Sequence, residues 1–88
     1  MDDVTRDDVL KRLAYVEGHL AGIRRMIEQD TYCVDVMKQT FAVRRAIEKL
    51  EAKMLDGHLR HCVVEAITAG NAEPVLDELV ELYTLSNR

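Results

Sequence analysis

The chain has few of the residues that break or stiffen a backbone. Among its 88 residues are one proline, four glycines, one phenylalanine and no tryptophan. That scarcity argues for helices rather than a sheet. No run is long and apolar enough to span a bilayer, and the acidic start, Asp2 and Asp3, is unlike a signal or transit peptide. A cytosolic (cytoplasmic) protein with no membrane partner is expected. There is no nucleophile–base pair and no Gly-rich phosphate loop, so an enzyme is not expected. Cysteine is scarce too: two are present, and in a reducing compartment they suit metal or redox chemistry better than a structural disulfide. A chain this short makes one domain over residues 1–88, near the lower limit for a self-sufficient core, and oligomerisation is the expected further source of stability.

The formal net charge of −4 disfavours a nucleic-acid partner until its distribution is considered. Asp2, Asp3, Asp7 and Asp8 crowd the start, and Glu65, Glu73, Asp77, Glu78 and Glu81 the last third. Between them, Lys11, Arg12, Arg24, Arg25, Lys38, Arg44, Arg45, Lys49, Lys53 and Arg60 outnumber the acids of that segment. A basic middle can face DNA, although charge alone favours solvated helix faces.

Apolar periodicity sets three helices. The first is expected to start at Thr5, as cap with Asp8, and carries Val9, Leu13, Val16, Leu20, Ile23 and Ile27 to about Gln29. Gly18 and Gly22 leave room for a neighbouring helix. Asp30-Thr31 is a break and a fresh N-cap signal, with a second helix from near Tyr32. Its row of Cys33, Val36, Thr40, Val43, Ile47, Leu50 and Met54 continues through His58 and Cys62. Although Asp56-Gly57 is a turn dipeptide, the continuing row predicts an unbroken helix to Ala69 with Gly70 as cap. Pro74 fits the first turn of a short third helix with Leu76, Leu79, Val80 and Tyr83 inward.

His58 and Cys62 stand four residues apart, on one helical face. With Cys33 they form a set of two thiols and one imidazole, which suits copper(I); zinc usually wants a fourth ligand. Each cysteine alone would be read as a small buried hydrophobe, but the shared register favours ligation. Within one chain the three cannot meet, because 25 residues of helix span about 37 Å at roughly 1.5 Å per residue. An antiparallel partner solves this: Cys33 of one chain reaches His58 and Cys62 of the other, twice per dimer, with the crossing near Ala46. His61 points elsewhere around the helix, and His19 is read as a polar or structural residue rather than a ligand.

Lys11-Arg12-Leu13, Val16-Glu17-Gly18-His19-Leu20, Gly22-Ile23 and Arg25-Met26, then Asp30-x-Tyr32-Cys33-Val34-Asp35-Val36-Met37-Lys38-Gln39, Ala42-Val43 and His58-Leu59-x-x-His61-Cys62, resemble the copper-sensing repressors of the CsoR/RcnR family over nearly the whole chain. The resemblance implies an all-α protein of three helices per chain with no helix-turn-helix. It also implies an antiparallel four-helix-bundle dimer, paired again into a homotetramer. Such a repressor binds operator double-stranded DNA when metal-free and lets go when Cu(I) fills its intersubunit sites, derepressing copper-resistance genes. Cys33, His58 and Cys62 match the copper ligand pattern. No histidine precedes His19, where nickel- and cobalt-type members carry one. Persulfide-sensing relatives lack the intervening histidine and formaldehyde-sensing ones the second cysteine.

By the same carry-over, Tyr32 and Glu78 match positions linking metal to the DNA-binding state, and Glu78 would hold the free N–H of a ligating His58, directly or through Tyr32. Arg12 and Lys49 match DNA-binding positions; Lys49 replaces an arginine common there and so loses bidentate contacts. Arg44, Arg45, Lys38 and Lys53 are further candidates for phosphate contact that the match does not assign. The sequence ends at Arg88 without the long tail of some members, so no tail-dependent role is expected. Two other readings remain open: a thiol- or persulfide-responsive repressor using Cys33 and Cys62, and a copper-binding helical oligomer with no DNA role.

Overall fold

The computed structural model describes all 88 residues and contains helices without a strand. Helix α1 spans Asp3–Glu28, α2 spans Cys33–Gly57, a π-helical stretch covers His58–Val63, and α3 (Val64–Thr68) and α4 (Ala72–Ser86) follow. The backbone stays in the right-handed helical region at both π junctions, with φ/ψ of −62°/−46° at His58 and −60°/−44° at Val64. So α2, the π stretch and α3 make one long rod, and Asp56-Gly57 does not turn the chain. The expected unbroken helix is present, except that its ligand-bearing part is wound more widely than an α-helix.

The helix ends differ from expectation in instructive ways. Asp2, not Thr5, caps α1: its Oδ2 accepts the Thr5 backbone N–H at 3.0 Å. A carboxylate one helical turn earlier is the better acceptor for the orphan amides. Asp30 and Thr31 close α1 rather than open α2. Asp30 adopts φ 55°, Thr31 N–H reaches Met26 O at 2.9 Å, and Asp30 N–H reaches Ile27 O at 3.1 Å. These are the two bonds of a Schellman ending. The N-cap of α2 is therefore Tyr32, which offers no side-chain bond. The rod closes the same way at Gly70, φ 84°, one residue past its C-cap Ala69, with Asn71 N–H on Ala66 O at 2.8 Å. Pro74 falls in the first turn of α4, where backbone amides have no helical partner to lose.

The short connection folds α1 back along α2. Val16, Ile23 and Val43 form the buried cluster, with Val36 and Ala46 packed on it. Each sequence stripe thus splits. Alternate members enter this seam, whereas Leu13, Leu20, Ile27, Ile47 and Met54 stay exposed. Ala46, expected at a crossing between chains, is occupied within its own chain. Gly18, expected to admit a neighbouring helix, has nothing within 4 Å of where a Cβ would stand.

The chain is a slab of 56 × 29 × 13 Å, one helix thick, and it buries only five of 88 residues. A single layer cannot cover its apolar faces. The last helix shows this most plainly: Leu76, Val80 and Tyr83 are 44%, 65% and 71% exposed, so α4 does not turn them inward against its own chain.

Candidate metal centre

The chain's tight turn and its helix starts place the three soft donors. Cys33 is the first residue of α2, just beyond the Asp30 turn, and its thiol is exposed. It lines a shallow groove of about 360 Å³ with Ile27, Asp30, Thr31, Val36 and Met37. His58 opens the π stretch and Cys62 lies within it, both half-buried. The 25 residues of α2 separate Cys33 from His58, about 37 Å of rod. Accordingly no three of the chain's His, Cys, Asp or Glu side chains converge on a common point. The structure brings His58 and Cys62 onto one segment and leaves Cys33 at the far end.

The donors themselves fit a soft monovalent ion. Both cysteines are free thiols, and no intrachain hydrogen bond or ion pair engages the His58 side chain. Two thiols and an imidazole are the donors copper(I) selects. The wider π winding matters here. At about 4.4 residues per turn, residues four apart fall short of a full turn instead of overshooting it as they do in an α-helix. His58 and Cys62 still share a face, with Cys62 offset from His58 in the opposite sense to that of an α-helix.

Tyr32 is 67% exposed, and Glu78 is exposed and enters none of the chain's ion pairs. Within one chain neither is joined to His58. Arg12 is half-buried and its Nε lies 3.4 Å from Asp8 Oδ1, an ion pair whose N–H is not aligned as a hydrogen bond. Lys49 is exposed with no carboxylate beside it, as are Lys38, Arg45 and Lys53. Arg44 stacks over the Phe41 ring at 5.3 Å.

Two residues left out of the ligand set have structural work. His19 Nε2 and Gln39 Oε1 are 2.8 Å apart, tying α1 to α2, with the Tyr15 ring edge-on at 5.9 Å. His61 faces Asp2, with Nε2 3.6 Å from Oδ1. The Thr5 hydroxyl, then the Thr5 backbone N–H, hold the Asp2 carboxyl below the ordinary carboxylate range. Sequence reasoning missed this junction between the start of α1 and the ligand segment. Its only sequence signal is a glycine placed where a helix continues.

The chain is similar to known proteins in sequence and in overall fold. The family profile of metal-sensitive transcriptional repressors matches residues 5–84. The copper-sensing transcriptional repressor CsoR of Bacillus subtilis (strain 168) is 37% identical over 78 residues, 89% of this chain and 77% of that protein. The CsoR of Mycobacterium tuberculosis (strain ATCC 25618 / H37Rv) is 46% identical over 72 residues, 82% of this chain. The match spans 60% of that relative's length. The crystal structure of the copper-sensing repressor CsoR with Cu(I) from Geobacillus thermodenitrificans NG80-2 is similar with a TM-score of 0.93 at 30% identity, over 100% of this chain and 92% of the other.

Proposed function

The chain belongs to the family of metal-sensitive transcriptional repressors, and on that premise we propose that it is a copper(I)-responsive repressor. It binds operator DNA when metal-free and releases it when Cu(I) is held between two protomers. One observation carries this reading: a soft donor set divided between the two ends of a rod whose outer face is apolar and open. Cys33 and His58 bracket that face, and exposed Ile47 stands near its midpoint. Two rods laid antiparallel would cover Ile47 and bring Cys33 of each chain to His58 and Cys62 of the other.

Copper(I) supplies a soft Lewis acid that prefers two thiolates and an imidazole to water. Every other part is played by the protein. Cys33, at a helix start beside a tight turn, is the donor free to shift. His58 and Cys62 are fixed to one half-buried segment. A ligating imidazole needs its second N–H held by an acceptor, and Glu78 serves that role, with Tyr32 beside Cys33 relaying it. Arg12 and Lys49 contact operator phosphates. Copper prefers one packing of the rods and DNA another, and this difference in affinity is the coupling. The set fills with protein donors, which leaves no position for a substrate, so a regulatory role and not catalysis follows.

Copper(I) titration followed by thiolate charge-transfer absorbance, alongside DNA binding, tests the proposal in wild type and His58→Ala. The wild type should develop the band and lose DNA together, whereas His58→Ala, which keeps both thiolates, should develop a weaker band and hold its DNA. Regulation retained in His58→Ala under oxidant would favour a thiol sensor built on Cys33 and Cys62. Failure of the wild type to bind its own upstream DNA would leave only a copper-binding oligomer.

A further inference from the structure

Gly57 has no explanation in the ligand chemistry. Its backbone is ordinary helix, φ −62° and ψ −40°, so no left-handed conformation requires glycine. Glycine in a helix interior weakens the helix. Yet it is one of the five buried residues of the chain. Contact explains it: a Cβ on Gly57 would stand 2.6 Å from Thr5 Cγ2 and 3.0 Å from Thr5 Cβ. No other glycine of the chain meets another element in this way. The first turn of α1 rests directly on the backbone of the rod, one residue before His58. Around the same point, Asp2 holds Thr5 N–H through one carboxylate oxygen and faces His61 through the other. The π winding begins at the next residue.

We propose that Thr5 and Gly57 form a seat that positions the ligand segment, setting the depth and rotation of His58 and Cys62 against α1. Because Arg12 lies about two turns along the same helix, the seat also joins the metal segment to a basic residue on α1. The role rests on the reading that His58 and Cys62 are ligands, but it has a readout that needs no copper.

The experiment uses the full chain without metal and with Cu(I). Thiol alkylation is measured for Cys62 in a Cys33→Ser background and for Cys33 in a Cys62→Ser background. Gly57→Ala should speed alkylation of Cys62 about threefold or more through local opening, and affect Cys33 less. In the otherwise wild-type chain it should weaken Cu(I) binding about tenfold against a competing chelator. The exchanged pair Thr5→Gly with Gly57→Ala restores the room for a Cβ and should return both values to those of the parent. Thr5→Gly alone opens the seat without a clash, and serves where Gly57→Ala does not fold; it should move both values in the same direction. Wild-type Cys62 reactivity in either single variant, equal acceleration of Cys33, or failure of the exchange to restore would overturn the seat. A wild type that ignores Cu(I) would instead overturn the copper reading, while the metal-free alkylation result would still stand.

Discussion

Asp2 shows how much one side chain near a chain end can organise. It caps α1, and its carboxyl is held below the ordinary range first by the Thr5 hydroxyl, then by the Thr5 N–H, with a smaller attraction from His61. A depressed carboxylate stabilises the fold above its unfolded pKa, and that stabilisation is lost as pH falls through the lowered folded value. Thermal melts should therefore show wild type above Asp2→Ala at about pH 7, with the gap closing as pH falls below the ordinary Asp range and the carboxylate is protonated. A gap that persists at the acidic end would contradict the cap. None of this was legible beforehand. Thr5 and Asp8 form a reasonable capping pattern in sequence, and only the structure shows Asp2 Oδ2 on the Thr5 N–H.

At the scale of elements, the registers were legible and the faces were not. Steps of three and four placed His58 and Cys62 on the row of Cys33, and the rod carries them as one continuous helix. The split of each stripe could not be read, because a residue at a heptad position looks the same whether it meets its own chain or another. Ala46 and Ile47 are neighbours, yet Ala46 packs on the α1–α2 core and Ile47 is 38% exposed. The π stretch likewise leaves no periodicity in six residues. Loop chemistry also misled. Asp30-Thr31 signals a break and a fresh N-cap; the break is there, but Asp30 ends a helix with φ 55° and Tyr32 is the cap. An L-residue there is strained, so Asp30→Gly should stabilise the protein by roughly 0.5–1 kcal/mol, read as a rise in the denaturation midpoint. A loss of stability would mean that the Asp30 side chain makes a contact worth more than the strain.

On the scale of the whole molecule, the slab accounts for the division of labour. A layer 13 Å thick leaves Leu20, Ile27, Ile47, Leu76, Val80 and Tyr83 exposed. Exposed apolar side chains of this kind mark interaction surfaces, which fits the pairing of chains proposed above. Placing a charge on the outer face should therefore cost assembly and copper binding together. Ile47→Asp is expected to sediment as a monomer with reduced helicity and no charge-transfer band. A dimer of normal mass would show that the rods do not cross at that face.

The central claim is that each site is completed by a second chain, and mixing two inactive variants tests it most directly. Cys33→Ala and Cys62→Ala each destroy both sites of a homodimer. In a mixed dimer one site loses both cysteines and the other keeps all three ligands. Unfolded together in equal amounts and refolded, the two variants should regain about one quarter of the wild-type charge-transfer amplitude, since half the dimers are mixed and each carries one of two sites. No band above that of the separate variants would contradict a site shared between chains.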